Sequence, residues 1–206
     1  RFWLPTVQDD AVTMLYESHA AGDTPETFRH RDILRDALRQ AFVDLWAPYP
    51  LREHCADTEE ASAAARCTSI ITVGGPDTNP VARECQRLDS PVWTLEGGAG
   101  GSALRNGKSG ARLAADGVSG AQEFGYVARL PNPWAVGAYV VGVAGVSDLA
   151  TRAGMEFLAD PSRSPELSRI FAEHLCAQVV YRAEAGELRV IDVQPVTSAA
   201  SRGGIR

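Results

Sequence analysis

The stretch that decides the fold is residues 68–80, which read TSIITVGGPDTNP. Its first six residues form a short run rich in β-branched side chains, which is typical of a buried strand. Gly74 and Gly75 break the strand pattern, and Asn79 can cap a helix that has Pro80 at its first position. The apolar residues that follow recur at helical spacing. This part of the chain therefore predicts a strand, a glycine turn and a helix in direct succession.

A second unit of this kind begins at residues 138–148, which read AYVVGVAGVSD. Its first half predicts a very apolar strand, Gly145 ends that strand, and Ser147 can cap the helix that follows. Two strands as apolar as these are expected to be central and parallel. Their glycine turns would then lie at the carboxyl ends of neighbouring strands and flank a topological switch point, where open α/β sheets bind ligands.

The remaining segments complete the predicted organisation. Residues 1–66 predict an N-terminal helical segment, which includes a short helix over residues 11–21. Residues 67–196 hold the two units described above, further strands and a C-terminal hairpin. Within this α/β part, residues 97–120 contain eight of the 19 glycines and predict a long mobile loop. Residues 197–206 predict a polar tail.

Strands that alternate with helices predict an α/β fold. We expect a Rossmann-like three-layer sheet that is mostly parallel, with the C-terminal hairpin as an antiparallel edge. The N-terminal helical segment would pack against one face of this sheet or extend from it as an arm.

The order of motifs also supports a comparison with known domains. A strand, a GGPxxN motif and a helix are followed by an Asn-Pro turn and by an apolar strand that ends in glycine. The residues that carry this order are Gly74, Gly75, Pro76, Asn79, Asn132, Pro133 and Gly145. With them the chain resembles a group of uncharacterised Rossmann-like domains of prokaryotic regulatory or surface-layer proteins, over about residues 67–195. The resemblance implies the fold and ligand sensing, and it brings no catalytic residues.

Length, charge and cysteine spacing argue against several classes of protein. The chain has 206 residues and a formal net charge of −6, which suits a domain with a buried core and not a general nucleic-acid binder. No apolar run approaches the roughly 20 residues of a membrane span. The four cysteines form no CxxC pair and the four histidines are scattered, so we expect no metal site and free thiols in the cytoplasm. The sequence identifies no cofactor.

The two glycine turns supply the predicted ligand site. Glycines let a backbone approach a ligand closely, and N–H groups at the start of a helix attract anions. We therefore predict that a nucleotide or a similar anionic small molecule binds at the two turns. The predicted site residues are Gly74, Gly75, Asp77, Asn79, Gly145, Ser147 and Asp148. The same residues also fit a purely architectural role, because turns and helix caps use them routinely.

Two further segments resemble functional motifs less closely. Residues 102–109, SALRNGKS, are similar to a Walker A loop, but Ser102 stands where the pattern needs glycine and no helical stripe follows. Residues 129–134, RLPNPW, present Asn132 and Trp134 at a turn that could border a ligand. Asn132 fits a plain Asx turn equally well.

Three functions stay open on this evidence. The leading hypothesis is a sensing module that binds its ligand without turnover as part of a larger regulatory protein. The second is a hydrolase or a glycosidic-bond-cleaving enzyme, with Asp77, Glu96 or Asp148 as general base. The third is a protein-interaction or oligomerisation domain that uses residues 1–66, where an amphipathic helix over residues 24–46 would form the partner surface.

Overall fold

The computed structural model of the chain describes residues 12–16, 32, 35–36, 51–89, 91–97, 101–115, 122–184 and 187–196. These residues form two β-sheets and helices that cover them. The strands are β1 (Val12–Tyr16), β2 (Leu51–Cys55), β3 (Ser69–Val73), β4 (Trp93–Glu96), β5 (Ala103–Asn106), β6 (Arg112–Ala114), β7 (Glu123–Pro131), β8 (Tyr139–Gly145), β9 (Ala177–Glu184) and β10 (Glu187–Pro195). The helices are α1 (Glu59–Ala65), α2 (Pro80–Asp89), α3 (Asp148–Ala159) and α4 (Ser164–Glu173), with a short 3-10 helix at Pro161–Arg163.

Seven strands form one large sheet in the order β10-β9-β7-β8-β3-β1-β2. β8 is its middle strand and β3 is the parallel neighbour of β8, with Val73 opposite Val143. The prediction of two central parallel strands is therefore confirmed. The predicted C-terminal hairpin is confirmed as well, since β9 and β10 are antiparallel and β10 lies at the edge.

Both faces of the large sheet are covered. Successive residues of a strand point to opposite faces, so Val140 and Val141 enter different cores. Val141 belongs to a buried cluster with Phe157 of α3 and with residues of α4. Val140 belongs to a second cluster that includes Cys85 of α2 and Leu104 of the small sheet β4-β5-β6. No helix formed by the described residues is long and apolar enough to cross a membrane.

The predicted Rossmann-like three-layer sheet, mostly parallel, is wrong. The pairings β1–β2, β1–β3 and β3–β8 are parallel, whereas β7–β8, β7–β9 and β9–β10 are antiparallel. A separate antiparallel sheet, β4-β5-β6, packs on the same face of the large sheet as α2. The reason lies between β7 and β8, where the connection is a short turn around Asn132. Parallel strands need a crossover of a dozen or more residues, so a turn of this length forces a hairpin.

Two further predictions about the chain's organisation are corrected. Within the predicted N-terminal helical segment, residues 12–16 and 51–55 are strands of the large sheet, so the predicted helix over residues 11–21 is wrong. The predicted glycine-rich loop over residues 97–120 contains β5 and β6. In both places pairing with neighbouring strands, which local sequence does not encode, decides the structure.

Some predictions fall on residues that the structure does not describe. Of the helix predicted over residues 24–46, only residues 32, 35 and 36 are described, and these are helical. The remainder of that helix and the tail at residues 197–206 lie outside the described residues.

Candidate functional site

The two glycine turns lie side by side along the edge of the large sheet that the carboxyl ends of β3 and β8 form. β3 and β8 are parallel and adjacent, so both strands end at this edge. The backbone N–H of Gly74 donates to the carbonyl oxygen of Val143 at 3.0 Å, which ties the first turn to the strand that leads into the second. We call residues 74–79 and 145–148 together the glycine-turn edge. The predicted juxtaposition of the two turns is present in the structure.

Close packing within the protein explains the glycines of this edge. Gly74 has a φ of +97°, a conformation that side chains disfavour. A Cβ on Gly75 would lie 2.6 Å from Cδ2 of Leu95, and one on Gly145 would lie 2.3 Å from the Cβ of Ala150. At Gly75 and Gly145, side chains of the protein itself occupy the space that a Cβ would need. This packing alone explains glycine at both positions.

Asn79 is fully buried and all of its hydrogen-bonding capacity is used within the fold. Its Oδ1 accepts from the N–H groups of Val81 at 3.1 Å and Ala82 at 3.0 Å, which caps α2 as predicted. Its Nδ2 donates to the carbonyl oxygens of Leu15 at 3.3 Å and Val73 at 3.0 Å. The side chain thus joins β1, β3 and α2.

The topological switch point of the sheet lies between β1 and β3. Among the described residues, the next strand after β1 is β2, on one side of β1, whereas β3 and β8 lie on the other side. The prediction that the two glycine turns flank the switch point is therefore wrong. Because Asn79 links the carbonyl of Leu15 in β1 to that of Val73 in β3, its amide occupies the boundary between the two strands.

Ser147 caps α3 and contacts a carboxylate that the sequence did not reveal. Its Oγ accepts from the N–H of Ala150 at 3.1 Å and donates to Oε2 of Glu123 at 2.6 Å. Glu123 begins β7, and the antiparallel pairing of β7 with β8 places Gly125 opposite Gly145. Sequence reasoning missed Glu123 because its position depends on the direction of β7, for which the only available signal was the short turn before β8.

Charged groups of both signs surround the edge. Asp77 and Asp148 are exposed, one in each turn. The guanidinium of Arg83 donates to the carbonyl oxygen of Pro76 at 2.7 Å and to that of Asp77 at 3.3 Å, so its charge lies against the first turn. Hydroxyl groups of a ligand can donate to the carboxylates, and the arginine offsets part of their negative charge.

The two helices differ in what they offer an anion. At the start of α2, Pro80 has no N–H, and the N–H groups of Val81 and Ala82 already donate to Asn79. At the start of α3, the N–H groups of Asp148 and Leu149 have no acceptor within the described part of the chain. An anion therefore finds free helical donors at α3 and not at the first turn of α2.

The two weaker motifs are structural. Residues 102–109 lie in the hairpin of β5 and β6, so the strand–loop–helix context of a Walker A loop is missing. Oδ1 of Asn106 accepts from the N–H groups of Lys108 and Ser109, both at 2.9 Å, which fixes the turn. Asn132 makes the Asx turn that was one of its two interpretations, since its Oδ1 accepts from the N–H of Trp134 at 2.9 Å.

Neither the protein-family models nor the curated protein sequences contain a match to this chain. The resemblance to domains of regulatory or surface-layer proteins stays a prediction. Among the described residues, no group of three or more histidines, cysteines and carboxylates could hold a metal ion.

Proposed function

We propose that this chain is a binding module of a regulatory protein and that the glycine-turn edge takes a nucleotide with a single phosphate. The observation that carries the proposal is the register of β3 and β8, which sets the two turns beside each other, each with one exposed aspartate, and ties them through Gly74. A ligand placed there would touch both turns and the start of α3.

The phosphate would be recognised at the start of α3. The N–H groups of Asp148 and Leu149 are free in the described structure, and the helix dipole adds positive potential at this end. α3 is a helix of 12 residues, long enough for its dipole to matter.

The sugar would be recognised by the carboxylates. Asp77 and Asp148 are exposed, and each can accept hydrogen bonds from ribose hydroxyls. The same carboxylates repel phosphate groups, and the two free N–H groups at the start of α3 offset that repulsion for one phosphate only. We therefore expect a nucleoside monophosphate or a phosphodiester to bind more tightly than a triphosphate.

The proposed function is binding without turnover. Asn79 and Ser147, the polar side chains most closely held in the two turns, already have partners within the fold. The structure describes all four cysteines, Cys55, Cys67, Cys85 and Cys176, and none is in a disulfide bond. A cytoplasmic location, where thiols stay reduced, is part of the proposal.

Thermal unfolding of the purified chain with a panel of ligands tests this proposal. The panel contains nucleoside monophosphates, triphosphates, cyclic nucleotides, plain nucleosides and inorganic phosphate. A ligand at 100 times its dissociation constant stabilises a protein by about 2.7 kcal/mol, which is visible as a rise in melting temperature. We expect the largest rise with a monophosphate or cyclic nucleotide and recovery of the ligand intact by mass spectrometry.

Two variants assign the binding to the edge. Asp77→Ala removes an exposed carboxylate of the first turn and should weaken binding at least tenfold. Glu187→Ala, which removes an exposed carboxylate at the start of β10, should leave the affinity unchanged. Equal affinity of the two variants would show that the ligand binds away from the glycine-turn edge. An unchanged melting temperature with every ligand would overturn the proposal. Ligand breakdown that depends on Asp77 or Asp148 would make the protein a hydrolase instead.

A further inference from the structure

The small sheet β4-β5-β6 has one covered side and one side that carries exposed charges. Leu104 of β5 is fully buried, and Leu113 of β6 packs against the same apolar cluster. Successive residues of a strand point to opposite faces, so Arg105 and Arg112 lie on the other side, and both are exposed. The antiparallel register of β5 and β6 sets these two arginines directly opposite each other. We call Arg105 and Arg112 the arginine pair of the small sheet.

The arginine pair is short of negative partners. Side chains at directly opposite positions start about 4.5–5.5 Å apart, so two guanidinium groups there repel each other. Nη1 of Arg105 lies 3.6 Å from Oε1 of Glu96, whereas Arg112 has no ion-pair partner in the described part of the chain. Lys108, the only lysine of the sequence, is exposed in the turn that joins the two strands. This hairpin therefore carries more positive charge than its described partners neutralise.

The large sheet contains a second pair of opposed arginines, whose charge is balanced. Arg189 of β10 is directly opposite Arg182 of β9. Nε of Arg182 lies 3.6 Å from Oε2 of Glu184, and the register places Glu187 opposite Glu184. Arginines and glutamates thus offset one another at neighbouring positions of the same face. The arginine pair of the small sheet lacks this balance, so its positive charge is available to an anion from outside the chain.

We propose that the arginine pair is the docking site for an acidic segment of a partner protein. The planar guanidinium of an arginine takes a carboxylate through two parallel hydrogen bonds, a geometry that an ammonium does not offer. In an extended segment every second side chain points the same way, about 7 Å apart, so alternate carboxylates reach both arginines. Lys108 adds positive potential at the end of the hairpin.

Charge density favours a polypeptide over a nucleic acid as the partner. The chain has a formal net charge of −6, which repels any polyanion. Double-stranded DNA carries one negative charge about every 1.7 Å, whereas an alternating acidic segment carries one carboxylate about every 7 Å. The arginine pair offsets the repulsion of a few carboxylates and not that of a phosphate backbone. The proposal uses only the small sheet, so it does not depend on the ligand site at the glycine-turn edge.

Fluorescence anisotropy with a labelled peptide in which glutamate and serine alternate tests the docking site. At low ionic strength we expect saturable binding with a dissociation constant below about 1 mM, which weakens as salt is added. Arg105→Gln combined with Arg112→Gln should weaken binding about tenfold, and Glu96→Gln, which frees Arg105, should strengthen it about twofold. Arg182→Gln combined with Arg189→Gln is the matched control, because it removes the same charge from the balanced pair. This control should leave the affinity unchanged.

The melting temperature of the free chain shows whether the arginines serve the fold instead. Removal of the repulsion between Arg105 and Arg112 should leave it unchanged or slightly higher. A marked fall, an equal loss of affinity in the two double variants, or no binding of the peptide would each overturn the proposal. Tighter binding of a single-stranded thymidine oligonucleotide that depends on Arg105 and Arg112 would assign the surface to nucleic acid and would also overturn it. None of these readouts depends on the ligand panel, so the two proposals fail separately.

Discussion

The side-chain amide of Gln178 pairs with the backbone of Trp93 in the way that a neighbouring strand would. Its Nε2 donates to the carbonyl oxygen of Trp93 at 2.7 Å, and its Oε1 accepts from the N–H of Trp93 at 2.9 Å. Gln86 does the same for Leu95, at 3.3 Å and 2.9 Å. Two glutamines thus close the free edge of β4 and fasten the small sheet to the rest of the fold, where an exposed strand edge would invite pairing with other chains.

Replacing Gln178 should therefore destabilise the protein strongly. Gln178→Ala leaves the N–H and the carbonyl of Trp93 buried without partners, and we expect the free energy of unfolding to fall by about 3 kcal/mol. Urea unfolding followed by tryptophan fluorescence measures this. Gln194→Ala is the matched control, because Gln194 is only partly buried and its amide contacts the side chain of Asp192. Similar losses in the two variants would contradict the pairing described for Trp93.

Asn79 should contribute to the stability of the fold and not to ligand binding. Asn79→Ala removes the cap of α2 and the donors to the carbonyls of Leu15 and Val73, so we expect a loss of about 3 kcal/mol. Asn79→Asp keeps an acceptor for the cap but loses both donors, and it should also be destabilised. Differential scanning calorimetry compares them with Ser147→Ala, which removes one partly buried cap and should lose about 1 kcal/mol. An Asn79→Ala variant with wild-type stability and no ligand binding would assign Asn79 to the site instead.

The two buried tyrosines should make the fold sensitive to alkali. Burial raises the pKa of Tyr126 and of Tyr181 well above the ordinary value near 10, because their charged forms are poorly solvated inside the protein. A raised pKa in the folded state means that the unfolded chain loses its proton first. The free energy of unfolding keeps its full value below about pH 10. Above that pH it falls by about 1.4 kcal/mol per pH unit for each tyrosine.

Denaturant unfolding from pH 8 to pH 12 tests this expectation. Tyr126→Phe should remove one tyrosine's share of the decline, and Tyr181→Phe should remove the other. At pH 7 Tyr181→Phe should be modestly less stable, since the hydroxyl of Tyr181 donates to the carbonyl oxygen of Ala150 at 2.7 Å. An unchanged slope in both variants would contradict the burial of these hydroxyls.

Arg129 should stabilise the carboxyl end of α4. It is 1% exposed, and its guanidinium donates to the carbonyl oxygens of Leu175 at 2.6 Å and Phe171 at 3.2 Å. Burial lowers the pKa of Arg129, while the carboxyl end of a helix favours a positive charge. Arg129→Met leaves those carbonyls without their charged donor, and we expect a loss of about 3 kcal/mol in urea unfolding.

The control for Arg129 is Arg189→Met, at an exposed arginine of β10, which should change stability by less than about 0.5 kcal/mol. Arg129→Lys should lie between wild type and Arg129→Met, because an ammonium cannot reproduce the fixed fork of the guanidinium. Full stability of Arg129→Met would show that these hydrogen bonds contribute nothing to the fold.

Local sequence predicted those elements that local chemistry dictates. The buried strands around Ile71 and Val141, the caps at Asn79 and Ser147, and the Asx turn at Asn132 all follow from residues close in the chain. For the candidate site, the sequence predicted that two glycine turns meet at one edge. Glu123 was missed because it lies 24 residues before Ser147 in the sequence, and only the pairing of β7 with β8 brings the two side chains together.

By itself, the sequence determined which segments are apolar enough to be central strands and where the helices after them begin, because side-chain periodicity and capping are local properties. Only the tertiary structure decided the pairing of β7 with β9, the pairing of β1 and β2 with β3, and the separate sheet β4-β5-β6. Strand pairing depends on partners far away in the chain and on side chains such as Gln178 that replace a missing strand. Such non-local contacts leave no periodic signal in the segment that receives them, so they become visible only once the fold has brought the partners together.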